Sequence, residues 1–197
     1  MPSSNKCPMA RRRNGAIFSA CAVLIVALLC AGVTARVHYG LGDAFAASDA
    51  ALDEAKGGAQ RKLLFPDATS FEAQSAPAVE GLNSVYKADT GAWVFDVTSA
   101  QGYHGDVELM VGINADGTVA GLQVVAEDET DGIGTNALTE EYFGGFAGTA
   151  AAGELTVDEA GAGQTHVDAV SGATFTSRAV VDCLNIAFAA YAQMGGN

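Results

Sequence analysis

The 197-residue chain predicts an α+β domain, an antiparallel sheet packed with helices, preceded by one N-terminal transmembrane helix. Three observations lead there. Residues 16–35 carry no charge and are mostly apolar, a run long enough to cross the hydrocarbon core of a bilayer. Between Ser84 and Ala126, short stretches rich in Val, Leu, Phe and Ile alternate with tight-turn sequences. From about Thr176 to Met194, Val180, Leu184, Ala187, Phe188 and Tyr191 recur at helical spacing until Gly195-Gly196 ends the pattern.

In chain order, residues 1–14 form a basic N-terminus with Lys6, Arg11, Arg12 and Arg13, and residues 15–35 are the expected membrane helix. Positive charge on that flank keeps it in the cytoplasm and exports the remainder of the chain, so a single-pass protein of the cell membrane is expected, its C-terminal part on the extracytoplasmic, periplasmic side. A cleaved signal peptide is the competing reading, since Ala31-Gly32-Val33-Thr34-Ala35 offers small residues near a cleavage point. Residues 36–62 read as a helical stalk or linker, Ala-rich and charged over 46–56 and broken at Gly57-Gly58. A different texture begins at Leu63-Leu64-Phe65-Pro66, and residues 63–197 form the exported domain.

Within that domain Val85-Tyr86-Lys87-Ala88, the turn Asp89-Thr90-Gly91 and Trp93-Val94-Phe95-Asp96-Val97 read as a hairpin. Gly102-Tyr103-His104-Gly105 interrupts before Val107 to Ile113, and Asn114-Ala115-Asp116-Gly117 turns the chain into a return strand over 119–126. Helices are expected to cover one face of this sheet. Glu127 to Gly134 is too polar and Gly-rich for another strand and reads, taken alone, as a solvated loop.

Charge separates the two ends of the chain. All 23 acidic residues lie at or beyond Asp43, against five of the ten Lys and Arg. Nucleic-acid binding is disfavoured by that sign. Cys7, Cys21, Cys30 and Cys183 show neither metal spacing nor a disulfide framework, and Cys183 reads as a buried helix residue. Lipid attachment at Cys21 is a weaker alternative, because the apolar run before it is too short. His104 and His166 lack partners at metal spacing and read as surface residues, so no metal site is expected.

Asp168-Ala169-Val170-Ser171-Gly172-Ala173-Thr174 is the stretch that carries chemistry, because it sets a hydroxyl on a small-residue turn just before the last helix. Free backbone N–H groups and the positive end of the helix dipole favour a phosphate there. The plain alternative is that Thr174 or Thr176 only caps the helix, with Thr176 the expected cap.

The whole string Asp-x-x-Ser-Gly-Ala-Thr resembles the flavinylation motif of the FMN-binding domain family, found in the C subunit of the sodium-pumping NADH:quinone reductase and the G subunit of the Rnf electron-transport complex. A second segment, Glu129-Thr130-Asp131-Gly132-Ile133-Gly134, is similar to the family's Glu-Thr-Pro-Gly-Leu-Gly flavin loop, with Asp131 and Ile133 in place of Pro and Leu. Loss of the Pro leaves the loop freer in the unfolded chain. Trp93 to Val97, Gly102 to Gly105, Asp116-Gly117, Tyr142-Phe143 and Phe146 keep the family order and resemble the G subunit more closely.

The resemblance implies an extracytoplasmic FMN-binding domain over 63–197, with FMN joined covalently to Thr174 by a phosphoester that a separate flavin transferase makes from FAD. It implies Ser171, Gly172 and Ala173 as the attachment turn and Asp168 as a residue read by the transferase or orienting the hydroxyl, its plain role being a helix-proximal cap. Glu129, Thr130, Gly132 and Ile133 are implied in the flavin pocket. Tyr103 is placed near the ring, or else in the core as an aromatic.

The implied role is an electron carrier, with no catalytic side chain of its own, in an Rnf-type complex that couples ferredoxin and NAD oxidoreduction to ion translocation. The chain carries no dinucleotide fingerprint and no iron–sulfur Cys cluster, so those functions fall to other membrane and iron–sulfur subunits. A stand-alone extracytosolic FMN protein and a non-redox anchored binding module are the alternatives.

Overall fold

The computed structural model describes residues 57–195, and the expected membrane helix, the helix over 46–56, Cys7, Cys21 and Cys30 lie outside them. Among the described residues, no helix is long and apolar enough to cross a membrane. The chain opens with α1 (Ala59–Leu64) and then lays down β1 (Phe71–Gln74), β2 (Leu82–Ala88), β3 (Trp93–Ser99), β4 (Val107–Ile113) and β5 (Val119–Ala126). These five form one antiparallel sheet in sequence order. A short 3₁₀ turn, Gly134–Ala137, leads to α2 (Glu140–Gly144), then to the parallel pair β6 (Glu154–Thr156) and β7 (Gln164–His166), and finally to α3 (Thr174–Gln193).

The expected α+β class and the expected hairpins are present. At the β4–β5 turn, Asp116 accepts from the Thr118 amide at 3.0 Å and Gly117 closes back on the Asn114 carbonyl at 3.0 Å. Expectation and structure differ on the faces of the sheet. One face packs Val85, Phe95, Val97, Leu109 and Val111 against Val180, Leu184, Ala187 and Phe188 of α3. The other face is also buried where Tyr86, Val94 and Met110 meet Leu64, Phe65 and Phe71. The physical reason is visible in β3 and β4, whose residues are buried almost without alternation, the pattern of a strand covered on both sides. Arg61 of α1 is enclosed there, its guanidinium 3.9 Å from the Tyr86 ring centroid and 5.9 Å from that of Phe71.

Two side chains lock α3 to the rest. Ser99 at the end of β3 donates to Asp182 at 2.6 Å. Asn185 pairs with both the N–H and the C=O of Leu155, at 2.8 and 2.9 Å, acting as a substitute strand neighbour for β6. Nothing in the sequence points to the β6–β7 pair, because three-residue strands carry no periodicity to detect. Its effect is to deliver residues 167–173 to the N-terminus of α3. Cys183 is fully buried in this helix, as expected, and burial pushes its thiol well above the usual range.

Candidate functional site

The turn before α3 is built by hydrogen bonds that its small residues permit. The Ala173 amide donates to the Val170 carbonyl at 2.9 Å, and the Val170 amide donates to the hydroxyl of Ser177 at 3.0 Å. Gly172 sits at the tip with φ of +85°, a left-handed conformation that a side chain disfavours, and the space where a Cβ would stand is open. Helix α3 begins at Thr174 with no side chain capping it. Its first N–H groups therefore point outward without intrahelical partners, beside an exposed Thr174 whose hydroxyl makes no hydrogen bond among the described residues.

Thr176 is not the cap that its position suggested. It lies inside the first turn of the helix, only 1% exposed, and its hydroxyl donates to Glu129 at 2.6 Å. Glu129 is the centre of the arrangement. One oxygen takes Thr176, while the other accepts the backbone N–H groups of Tyr103 at 2.7 Å and His104 at 3.2 Å. A buried carboxylate holding three donors joins three distant segments: the β3–β4 loop, the loop after β5 and the start of α3. Glycine makes room for it on two sides. A Cβ on Gly134 would stand 2.4 Å from one Glu129 oxygen, and one on Gly102 would stand 2.7 Å from the other.

The loop carrying Glu129 is held despite Asp131 standing where the family has Pro. The carbonyl of Thr130 accepts from Ile133 at 3.1 Å and from Gly134 at 2.9 Å, while Thr135 accepts from the Gly132 amide at 2.9 Å. That fold-back presents Ile133 outward, over half exposed. Opposite it stand Tyr103 and Phe175, also more than half exposed, with ring centroids 5.7 Å apart. Together they rim a cleft of about 320 Å³ whose floor includes Glu129, Thr130, Gly172, Ala173, Thr174 and Thr176.

Tyr103 is thus a rim residue and not a core aromatic. Three large apolar side chains held in water around one small cleft form the kind of patch that a flat apolar ligand covers. An uncapped helix start beside a free hydroxyl is in turn the kind of place a phosphate takes. The residues present fit FMN on both counts.

The structure brings Thr174, Gly172, Ala173, Glu129, Thr130, Ile133 and Tyr103 to this cleft. Ser171 is exposed on the turn itself, and Gly132 supports the loop without lining the cleft. Asp168 is elsewhere. Its carboxylate is fully exposed, 3.6 Å from His166, and caps nothing; its carbonyl accepts from the Tyr142 hydroxyl at 3.2 Å. Phe175 and Ser177 escape the sequence motifs. Only the helix phase, with Ser177 inward and Phe175 outward, could have found them. His104 and His166 are on the surface, His104 within 3.4 Å of the Thr130 hydroxyl.

The chain is similar to known proteins. The FMN-binding domain matches residues 102–189, a stretch that contains the whole cleft. The chain is 30% identical over 152 residues to the G subunit of the Na⁺-translocating ferredoxin:NAD⁺ oxidoreductase complex of Acetobacterium woodii, covering 68% of this chain and 73% of that one. It is 34% identical over 123 residues to the G subunit of the proton-translocating ferredoxin:NAD⁺ oxidoreductase complex of Clostridium ljungdahlii, covering 60% of this chain and 63% of that one. A crystal structure of the C subunit of the Na⁺-translocating NADH-quinone reductase from Parabacteroides distasonis superimposes with a TM-score of 0.46 at 22% identity, over 57% of this chain and 61% of that one. With a family match over residues 102–189 and a G subunit 30% identical over 68% of this chain, the chain belongs to the FMN-binding-domain family that includes the G subunits of ion-translocating oxidoreductase complexes.

Proposed function

We propose that this protein is a flavin electron carrier of an Rnf-type ion-translocating complex, held at the membrane by residues 15–35, with FMN joined to the hydroxyl of Thr174. The observation that carries the reading is the convergence of the Glu129 loop and the turn before α3 on one cleft, pinned by the Thr176–Glu129 hydrogen bond across 47 residues, beside an exposed threonine at an uncapped helix start. Attachment is a group transfer: the Thr174 oxygen bonds to the FMN phosphorus of FAD, the pyrophosphate link breaks, AMP leaves, and the hydroxyl proton passes to solvent or to the transferase.

The bound flavin supplies one- and two-electron chemistry through its ring. This chain's residues supply position. The phosphodiester charge meets the N–H groups and dipole of α3, a favourable pairing worth about 0.3–1 kcal/mol at an exposed helix end. Gly172 keeps the approach clear, while Tyr103, Phe175 and Ile133 offer apolar contact to the ring. A covalent link keeps the flavin local on a strongly acidic domain that attracts an anionic free flavin poorly. Ferredoxin, NAD and iron–sulfur chemistry belong to the other subunits of the complex.

The test is co-expression with a flavin transferase, followed by in-gel flavin fluorescence after denaturation. The wild-type band fluoresces and the Thr174→Ala band is dark. A dark wild-type band removes the flavin reading, and a fluorescent Thr174→Ala band moves the attachment elsewhere.

A further inference from the structure

A second cavity lies on the other side of the acceptor turn. It measures about 720 Å³, more than twice the cleft that holds Thr174, opens widely to solvent, and is lined by Tyr142, Phe146, Leu155 and Val170 on its apolar side and by the exposed Glu141 and Asp168 at its rim. Tyr142 and Phe146 meet edge to face, centroids 5.3 Å apart. Thr149 and Thr165 bring hydroxyls to its edge. The wall between cavity and cleft is a single turn, since Val170 lines one, Ala173 lines the other, and the two are joined by a 2.9 Å hydrogen bond. The crest of that wall is Gly172, with no atom within 4 Å of where a Cβ would stand.

We propose that this cavity is a second seat for an isoalloxazine ring, and that the ring tethered at Thr174 moves between the two. The inference rests on attachment at Thr174. A ring hung on a flexible ribityl chain from the end of the wall reaches both sides, and the bare crest leaves the crossing open. The chemistry of the two seats differs. The cleft offers exposed rings and Ile133 around a buried carboxylate already committed to three donors. The cavity is larger, with an aromatic pair at its wall and hydroxyls at its edge that suit the carbonyl and imide edge of a flavin. A carrier that exchanges electrons with two different partners gains a position for each.

Flavin fluorescence lifetimes test this, because a tyrosine near the photoexcited ring passes it an electron and takes it back, shortening the lifetime. In the flavinylated protein two short decay components are expected, one lost in Tyr103→Phe and the other in Tyr142→Phe. Thr165→Trp, at an exposed position where folding is not at stake, places a stronger quencher on the cavity edge and adds a shorter component. If the flavin loads and neither Tyr142→Phe nor Thr165→Trp alters the decay, the second seat is overturned while the attachment stands. If the denatured band is dark, the attachment itself has failed. Free FMN added to Thr174→Ala is expected to show no Tyr142-dependent quenching at micromolar concentration. Free FMN quenched there, with the tethered ring untouched by Tyr142, would make the cavity a site for diffusible flavin and overturn the moving tether.

Discussion

Both oxygens of Glu129 are committed, one to Thr176 and the other to the amides of Tyr103 and His104, so this side chain sets the shape of the cleft. Replacing it leaves three donors without their acceptor, and a buried unpaired donor costs about 1–3 kcal/mol. Glu129→Ala is therefore expected to lower stability by at least that order in denaturant unfolding, and to release the Tyr103 loop. Gly134→Ala acts on the same carboxylate from the other side. Its added methyl would stand 2.4 Å from a Glu129 oxygen, and an overpacked site costs about 1–3 kcal/mol. Unchanged unfolding midpoints in both variants would show that the carboxylate is not the organising group. The family resemblance put Glu129 and Thr130 in a flavin pocket, but nothing in the sequence said what Glu129 would hold. Its partners come from segments 25 to 47 residues away.

At the scale of elements, α3 carries two unlike faces. Leu184 is fully buried against the sheet, and its truncation to Ala is expected to cost about 2–5 kcal/mol. Phe175, in the first turn of the helix and 51% exposed, is expected to cost under about 0.5 kcal/mol as Ala, yet to change the absorbance and fluorescence of the bound flavin. A stability loss at Phe175 comparable to that at Leu184 would place it in the core and not on the cleft. The sequence predicted this helix from its spacing but started it at Thr176. In the structure it starts at Thr174, and the Thr176 hydroxyl turns inward to Glu129, a contact between elements that local pattern does not contain. On β4, Glu108 is held above the ordinary carboxylate range by burial, and next by the neighbouring Asp96. A carboxyl whose folded value is raised favours the native state when protonated, so its contribution weakens as pH rises through that window. Glu108→Gln is expected to gain thermal stability relative to wild type at neutral pH, with the gap closing as pH falls below the ordinary glutamate range. A gap independent of pH would remove the charge explanation.

For the whole molecule, charge is the property that sequence states most directly. The formal net charge is −13, and every acidic residue lies at or beyond Asp43. Arg178 stands beside the cleft, its guanidinium 5.7 Å from the Phe175 ring centroid, but Asp158 already holds it at 2.6 Å, a pairing that keeps the Asp158 carboxyl below its usual range. Electron exchange with a positively charged redox partner is therefore expected to slow as ionic strength rises, measured by stopped-flow absorbance of the flavin. A rate flat in salt would leave the acidity with no role beyond solubility. Composition, turn residues and helical spacing determined the antiparallel sheet and the last helix, because each is a local property written in consecutive residues, while Thr174 stood out only through the family resemblance of the string around it. Tertiary structure alone decided the rest: that both faces of the sheet are covered, that Tyr103 and Phe175 face each other in water, that Asp168 turns away from Thr174, and that a second cavity lies behind the turn. Those outcomes depend on which distant segments meet, and a single chain read in order carries no record of the meeting.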